Sequence, residues 1–143
     1  MDNRKYPSRP WVSAHAIVFN QKKEILLTKR AAPPRQFFWS LPGGAIDLGE
    51  TVEEGVTREV LEETSIHITN LRYVDYIDAI HRDDYGEVVY HYVVLIYTAD
   101  YLEGTIKAND DALDAKWVSL DQITSGKISI TEQLVNVIKR MVD

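Results

Sequence analysis

From Trp11 to Phe19 the chain is rich in aromatic and β-branched residues, and after the polar break Asn20-Gln21-Lys22-Lys23 comes the run Glu24-Ile25-Leu26-Leu27-Thr28. That order predicts a β-hairpin. Two prolines at 33 and 34 make residues 31–36 a loop, after which Phe37-Phe38-Trp39-Ser40-Leu41 re-enters the body as a short strand closed by Pro42-Gly43-Gly44. Thr51-Val52-Glu53-Glu54 has the Thr-x-x-Glu form of a capping box, so a helix is predicted to start there and run to about Thr64. Residues 66–78 and 87–99 read as two strands joined around Arg82-Asp83-Asp84-Tyr85-Gly86, and 114–118 as another short strand. In the C-terminal stretch 131–141, Leu134, Val135, Ile138 and Met141 recur at helical spacing and predict one more helix packed on the sheet.

The chemistry concentrates in the first helix. At about 100° per residue, Val52, Val56 and Val60 form its apolar seam, and Glu59, Glu62 and Glu63 share a face as i, i+3 and i+4. A solvated acidic face is the usual meaning of such a charge run, but it lies opposite the seam. Here Glu59 and Glu63 fall beside or inside it. Carboxylates held together at the edge of a buried stripe cost several kcal/mol unless something positive joins them. A hard divalent cation with oxygen ligands meets that need. Arg58 is placed either to reach back to Glu50 or to stand exposed, and the helix alone does not decide between these. Gly43 and Gly44 permit close backbone approach.

Composition narrows the field. The 143 residues are 45% hydrophobic, which fits one globular domain spanning 1–143, and the absence of cysteine removes disulfides, thiolate zinc sites and cysteine nucleophiles. A net charge of -6 argues against sequence-independent binding to a nucleic-acid polymer. Neither a signal peptide nor a membrane span is evident, so a cytoplasmic protein is expected.

Read as one pattern, Gly44, five residues, Glu50, seven residues, then Arg58-Glu59-Val60-Leu61-Glu62-Glu63-Thr64-Ser65-Ile66 resembles the Nudix hydrolase signature, Gly-x5-Glu-x7-Arg-Glu-U-x-Glu-Glu-x-Gly-U with U aliphatic. The single departure is Ser65, where the pattern has glycine. Softer likenesses flank the box at Trp39-Ser40-Leu41-Pro42-Gly43-Gly44 and at Ala115-Lys116-Trp117-Val118-Ser119-Leu120. The resemblance implies an α+β fold, an α/β/α sandwich around a mixed sheet. It implies Mg²⁺ or Mn²⁺ as cofactor, with Glu59 and Glu63 the principal ligands, Glu62 a co-ligand or the general base, and the Gly43 carbonyl completing the shell. Glu50 and Arg58 become a structural brace. Catalysis then falls to Glu62 and Glu59, with Glu103, Asp110, Asp111 and Asp114 as further candidates for the base.

The implied reaction is hydrolysis of a diphosphate linkage in a nucleoside diphosphate derivative. Residues 108–117 resemble the ADP-ribose pyrophosphatase type within the family, which makes ADP-ribose or a related nucleotide sugar the leading substrate. The alternatives are a sanitising (d)NTP pyrophosphohydrolase and a non-catalytic nucleotide sensor. Arg30 and Arg35 are candidates for phosphate contact, and Trp39 and Tyr92, with Phe37, Phe38 and Tyr90, for a stacking wall; aromatics in strands more often pack. His81 and His91 lack a metal-like spacing and read as packing or surface residues. The resemblance allows a homodimer.

Overall fold

The computed structural model describes residues 4–142. Seven strands form one mixed sheet: β1 (Trp11–Phe19), β2 (Ile25–Arg30), β3 (Trp39–Ser40), β4 (Gly43–Ala45), β5 (His67–Arg82), β6 (Val88–Glu103) and β7 (Ala112–Val118). The helices are α1 (Val52–Thr64), α2 (Leu120–Thr124) and α3 (Glu132–Met141). The strand path is β3-β2-β1-β6-β5, with β4 paired to β1 and β7 to β2. β1 runs parallel to β6, from Trp11 opposite Tyr92 to Phe19 opposite Asp100; the other pairings are antiparallel.

Alternation along β1 builds two cores. Ala14, Ala16 and Val18 point to one side with Leu26, where Val56 and Val60 of α1 cover them. Ile17 points to the other side with Ile25, Leu27 and Ile96, beneath Ile123 of α2 and Val137 and Ile138 of α3. Each fully buried aliphatic side chain contributes about 1.5–3 kcal/mol through removal from water. The result is the expected α+β sandwich, with α1 on one face and α2 and α3 on the other.

Several boundaries differ from the sequence reading. Both long strands exceed their predicted ends, and the ladder between them persists to Arg82 opposite Val88 at one end and to His67 opposite Glu103 at the other. Those extensions, residues 79–82 of β5 and 100–103 of β6, mix apolar with charged positions and leave Ile80 and Leu102 exposed, so no buried apolar alternation marks them. Residues 43–45 do not merely end a strand but pair with β1, Gly43 lying opposite His15. A Cβ at Gly43 would sit 2.6 Å from the His15 Cα, so only glycine lets the two backbones come this close. Between β1 and β2 only Phe19 and Ile25 are in register, a narrower hairpin than expected. Helix α2 was not anticipated, although Ser119 and Gln122 form the same reciprocal cap that Thr51 and Glu54 form on α1. No helix among the described residues is long and apolar enough to cross a membrane.

Candidate active site

Helix α1 is anchored by Val56 and Val60, both fully buried, and this rotation turns Glu63 toward the sheet with only 9% of its surface exposed. The Gly43 amide donates a 2.7 Å hydrogen bond to Glu63 Oε1. One residue along, a Cβ on Gly44 would lie 2.6 Å from the Glu59 carboxylate. The two glycines are therefore the floor against which two carboxylates rest. Asn109 and Lys107 donate backbone hydrogen bonds to the carbonyls of Glu63 and Thr64, and these bonds clamp the loop before β7 onto the end of the helix.

Arg58 is the positive centre beside them. Its Nε and Nη2 bind the two Glu50 oxygens at 2.7 and 2.9 Å, a bidentate pair that ties the preceding loop to the helix. Nη2 also reaches the Ala45 carbonyl at 3.2 Å, while Nη1 contacts Glu59 at 2.9 Å and Glu62 at 3.2 Å. A Cβ at Gly55 would press to 2.9 Å from Glu50 Oε1, which explains a glycine inside this helix.

The electrostatics separate the glutamates. The Arg58 guanidinium, with the Asp47 amide, holds Glu50 down at about 2. Burial raises Glu59, against the pull of Arg58. Burial raises Glu63 to about 8; the Gly43 amide and Arg30 oppose the rise, and the charges of Glu59 and Asp111 add to it. Among the described residues Glu63 thus has no cation bonded to it, and Glu59 shares the one Arg58 guanidinium with Glu50 and Glu62. Among the described residues no three His, Asp or Glu side chains converge as a ready-made cage. Arg58 accounts for this by drawing Glu62 and one Glu59 oxygen toward itself. Glu59 and Glu63 together still fit a hard cation that takes one or two protein carboxylates and completes its shell with water and phosphate oxygens.

The other candidates scatter. Gly43 makes its contact with Glu63 through its N–H. Of the four later acids, Asp111 is the one whose charge acts on Glu63, and its carbonyl is fixed by the Ala31 amide at 3.0 Å. Glu103 stands opposite His67 at the far end of the sheet. Arg30 donates from Nε to the Pro34 carbonyl at 2.7 Å, and Arg35 lies over the Phe38 ring. Trp39 packs against the α3-side core and has Lys116 Nζ 4.5 Å from its ring centre, so that face is covered. Tyr92 is half-buried opposite Ala79 and Trp11.

His15 was missed. Its Nδ1 is 2.9 Å from the Leu41 carbonyl, to which it donates, and burial lowers its pKa to about 4, so the ring is neutral. Nothing in the run Trp11–Phe19 marks it except its polarity within an apolar strand. Among the described residues, hollows of about 510 and 380 Å³ lie beside Trp117 and Tyr101 and beside Trp11 and Leu48, not over Glu59 and Glu63. Both are open surface depressions, and the carboxylate geometry is the better guide to chemistry.

Comparison with known proteins adds an independent line. The NUDIX domain profile matches residues 9–140. An ADP-ribose pyrophosphatase of Methanocaldococcus jannaschii is 34% identical over 114 residues, covering 80% of this chain and 64% of the relative. A NAD-capped RNA hydrolase NudC of Pectobacterium atrosepticum is 32% identical over 115 residues, covering 80% of this chain and 41% of the relative. This chain therefore spans less than two thirds of the length of either. A MutT NUDIX hydrolase from Burkholderia pseudomallei superposes with a TM-score of 0.78 at 27% identity, over 94% of this chain and all of the other. With the profile covering nearly the whole sequence and the glutamates of the box set against its glycines, the chain belongs to the Nudix hydrolase family.

Proposed function

We propose that the protein hydrolyses a diphosphate linkage in a nucleoside diphosphate derivative, ADP-ribose or a related nucleotide sugar, with a divalent cation as cofactor. The observation that carries this reading is the pairing of Glu59 and Glu63 against Gly43 and Gly44, two desolvated carboxylates one helical turn apart with too little positive charge beside them. Glu59 and Glu63, with Glu62 as co-ligand, would hold Mg²⁺ or Mn²⁺, which supplies charge neutralisation for phosphate oxygens and an acidified water. The chain's own part is to hold that helix face rigid. Arg58 and Glu50 brace it, and the Gly43 amide fixes the orientation of Glu63.

The name of the M. jannaschii relative supports the sugar-nucleotide substrate, and the likeness to the B. pseudomallei MutT protein supports the alternative, a (d)NTP pyrophosphohydrolase. Relatives named for NAD-capped RNA add capped RNA to the compounds to assay. Purified protein with Mg²⁺ or Mn²⁺ should release AMP and ribose phosphate from ADP-ribose. Pyrophosphate from a triphosphate would move the assignment to the alternative. Wild-type inertness across ADP-ribose, dinucleotides, capped RNA and (d)NTPs would sink the enzyme reading and leave a nucleotide sensor.

A further inference from the structure

Alternation along β1 puts Ala14, Ala16 and Val18 beneath α1 and turns His15, like Ile17, to the other side of the sheet. From there its imidazole holds the segment that leads into the site. Nδ1 donates to the Leu41 carbonyl at 2.9 Å. A carbonyl only accepts, so this nitrogen carries a proton whatever the charge of the ring. Ser40 Oγ reaches the same oxygen at 3.4 Å, a much longer contact. Leu41 is 1% exposed, so without the imidazole a buried acceptor would be left to that long contact alone among the described residues.

The chain is fixed again just beyond. The Ala16 amide donates to the Pro42 carbonyl at 3.0 Å, and Gly43 lies opposite His15 in the ladder. Bonded and non-bonded pairs alternate between antiparallel strands, so the pair next to the Ala16 and Pro42 bond turns its N–H away from the partner strand. The Gly43 amide does turn away, and it meets Glu63 Oε1 at 2.7 Å. A Cβ on Gly43 would lie 2.6 Å from the His15 Cα and 2.7 Å from its Cγ, so the root of the imidazole is the surface on which Gly43 rests. His15 therefore holds this segment at both ends, by a hydrogen bond at Leu41 and by contact at Gly43. Pro42, with its fixed φ, stiffens the span between them.

We infer that His15 is a positioning residue for Glu63: it sets the backbone of residues 41–43 so that the Gly43 amide meets the Glu63 carboxylate. It lies across the sheet from α1 and acts through that backbone. Its consequence for turnover rests on the reading of Glu63 as a metal ligand, where a displacement of about 1 Å can cost on the order of 100-fold in rate.

The test compares His15→Leu, which removes the donor, with His15→Asn, whose side-chain amide can donate near the place of Nδ1. Amide NMR of the full chain with chelator reads the bond directly. In His15→Leu the Gly43 proton should move upfield and exchange at least tenfold faster, while His15→Asn keeps both near wild type. Mn²⁺ titration should give an affinity at least tenfold weaker in the leucine variant and within threefold of wild type in the asparagine variant. With any nucleotide that is turned over, kcat should fall at least tenfold in His15→Leu with KM within twofold, and recover in His15→Asn. A folded leucine variant with the wild-type Gly43 signal and Mn²⁺ affinity, or an asparagine variant no better than it, would overturn the inference. Should the leucine variant not fold, His15→Asn decides alone: an unmoved Gly43 signal with Mn²⁺ affinity within threefold upholds the role, and a larger loss rejects it. If the wild type binds no Mn²⁺, the metal reading fails, and the Gly43 signal still decides the role of His15.

Discussion

The Gly43 amide and the Glu63 carboxylate, twenty positions apart in sequence, are joined by a 2.7 Å hydrogen bond that seats the carboxylate helix on the sheet. Substitutions at the two glycines should therefore fail in different ways. At Gly43, φ is 153° and a new Cβ would meet the β1 backbone, so Gly43→Ala should cost stability, about 1–3 kcal/mol or more. At Gly44 the obstacle is the mobile end of Glu59, so Gly44→Ala should fold nearly as well while losing at least tenfold in metal-dependent turnover. Urea unfolding alongside kcat separates the two; equal stability losses would contradict the assignment.

The raised pKa of Glu63 makes a signed prediction for metal-free protein. Folded, the carboxyl keeps its proton up to about 8; unfolded, it releases it near 4.5. The folded state binds more protons in that window, so the contribution of Glu63 to stability is fully present below pH 4.5 and is lost as pH rises toward 8, by a few kcal/mol at most. Glu63→Gln should flatten this slope. Unfolding with chelator at several pH values checks it, and saturating Mg²⁺ should restore wild-type stability most at the alkaline end.

Much of this was legible in the sequence because its signals are local. The capping box at Thr51, the seam of Val56 and Val60 and the fixed spacing of Glu50 to Arg58 lie within one loop and one helix. What escaped depends on distant partners. His15 takes its meaning from Leu41 and Gly43, Asp111 from the clamp between Asn109 and Glu63, and the outer reach of β5 from its pairing with β6 beyond the last contact of β6 with β1. Trp39 illustrates the converse, since its aromatic character suggested an open stacking surface and Lys116 covers one face.

Asp111 offers a way to choose among the later acids. Its charge acts on Glu63, so Asp111→Asn should lower the pH at which metal-free Glu63 ionises, visible by carboxyl NMR. A turnover loss of tenfold or more, matching or exceeding that of Glu62→Gln, would move the base from α1 to this loop. An unchanged rate would keep Glu62 as first choice.

Glu50 is braced by Arg58 and by the Asp47 amide, and makes no contact with Glu63. Glu50→Gln keeps the shape but removes the charge, so thermal stability and kcat should fall together while metal affinity, read by Mn²⁺ titration, changes less than in Glu63→Gln. The reverse order would place Glu50 among the metal ligands.

Ser65, the one departure from the family pattern, caps α1 in the left-handed conformation at φ 65°, and its amide donates to the Leu61 carbonyl. Such a conformation is strained for a residue with a Cβ and free for glycine, so the conformation required is the one glycine would have met without cost. Ser65→Gly should therefore stabilise the protein by up to about 1 kcal/mol, reduced by the greater freedom glycine gives the unfolded chain. Because the Ser65 side chain is no part of the Glu59 and Glu63 pairing, kcat and KM should stay within twofold. Chemical denaturation and steady-state kinetics on the same preparation test both halves, and a loss of stability would mean that the serine side chain makes a stabilising contact outweighing the backbone strain.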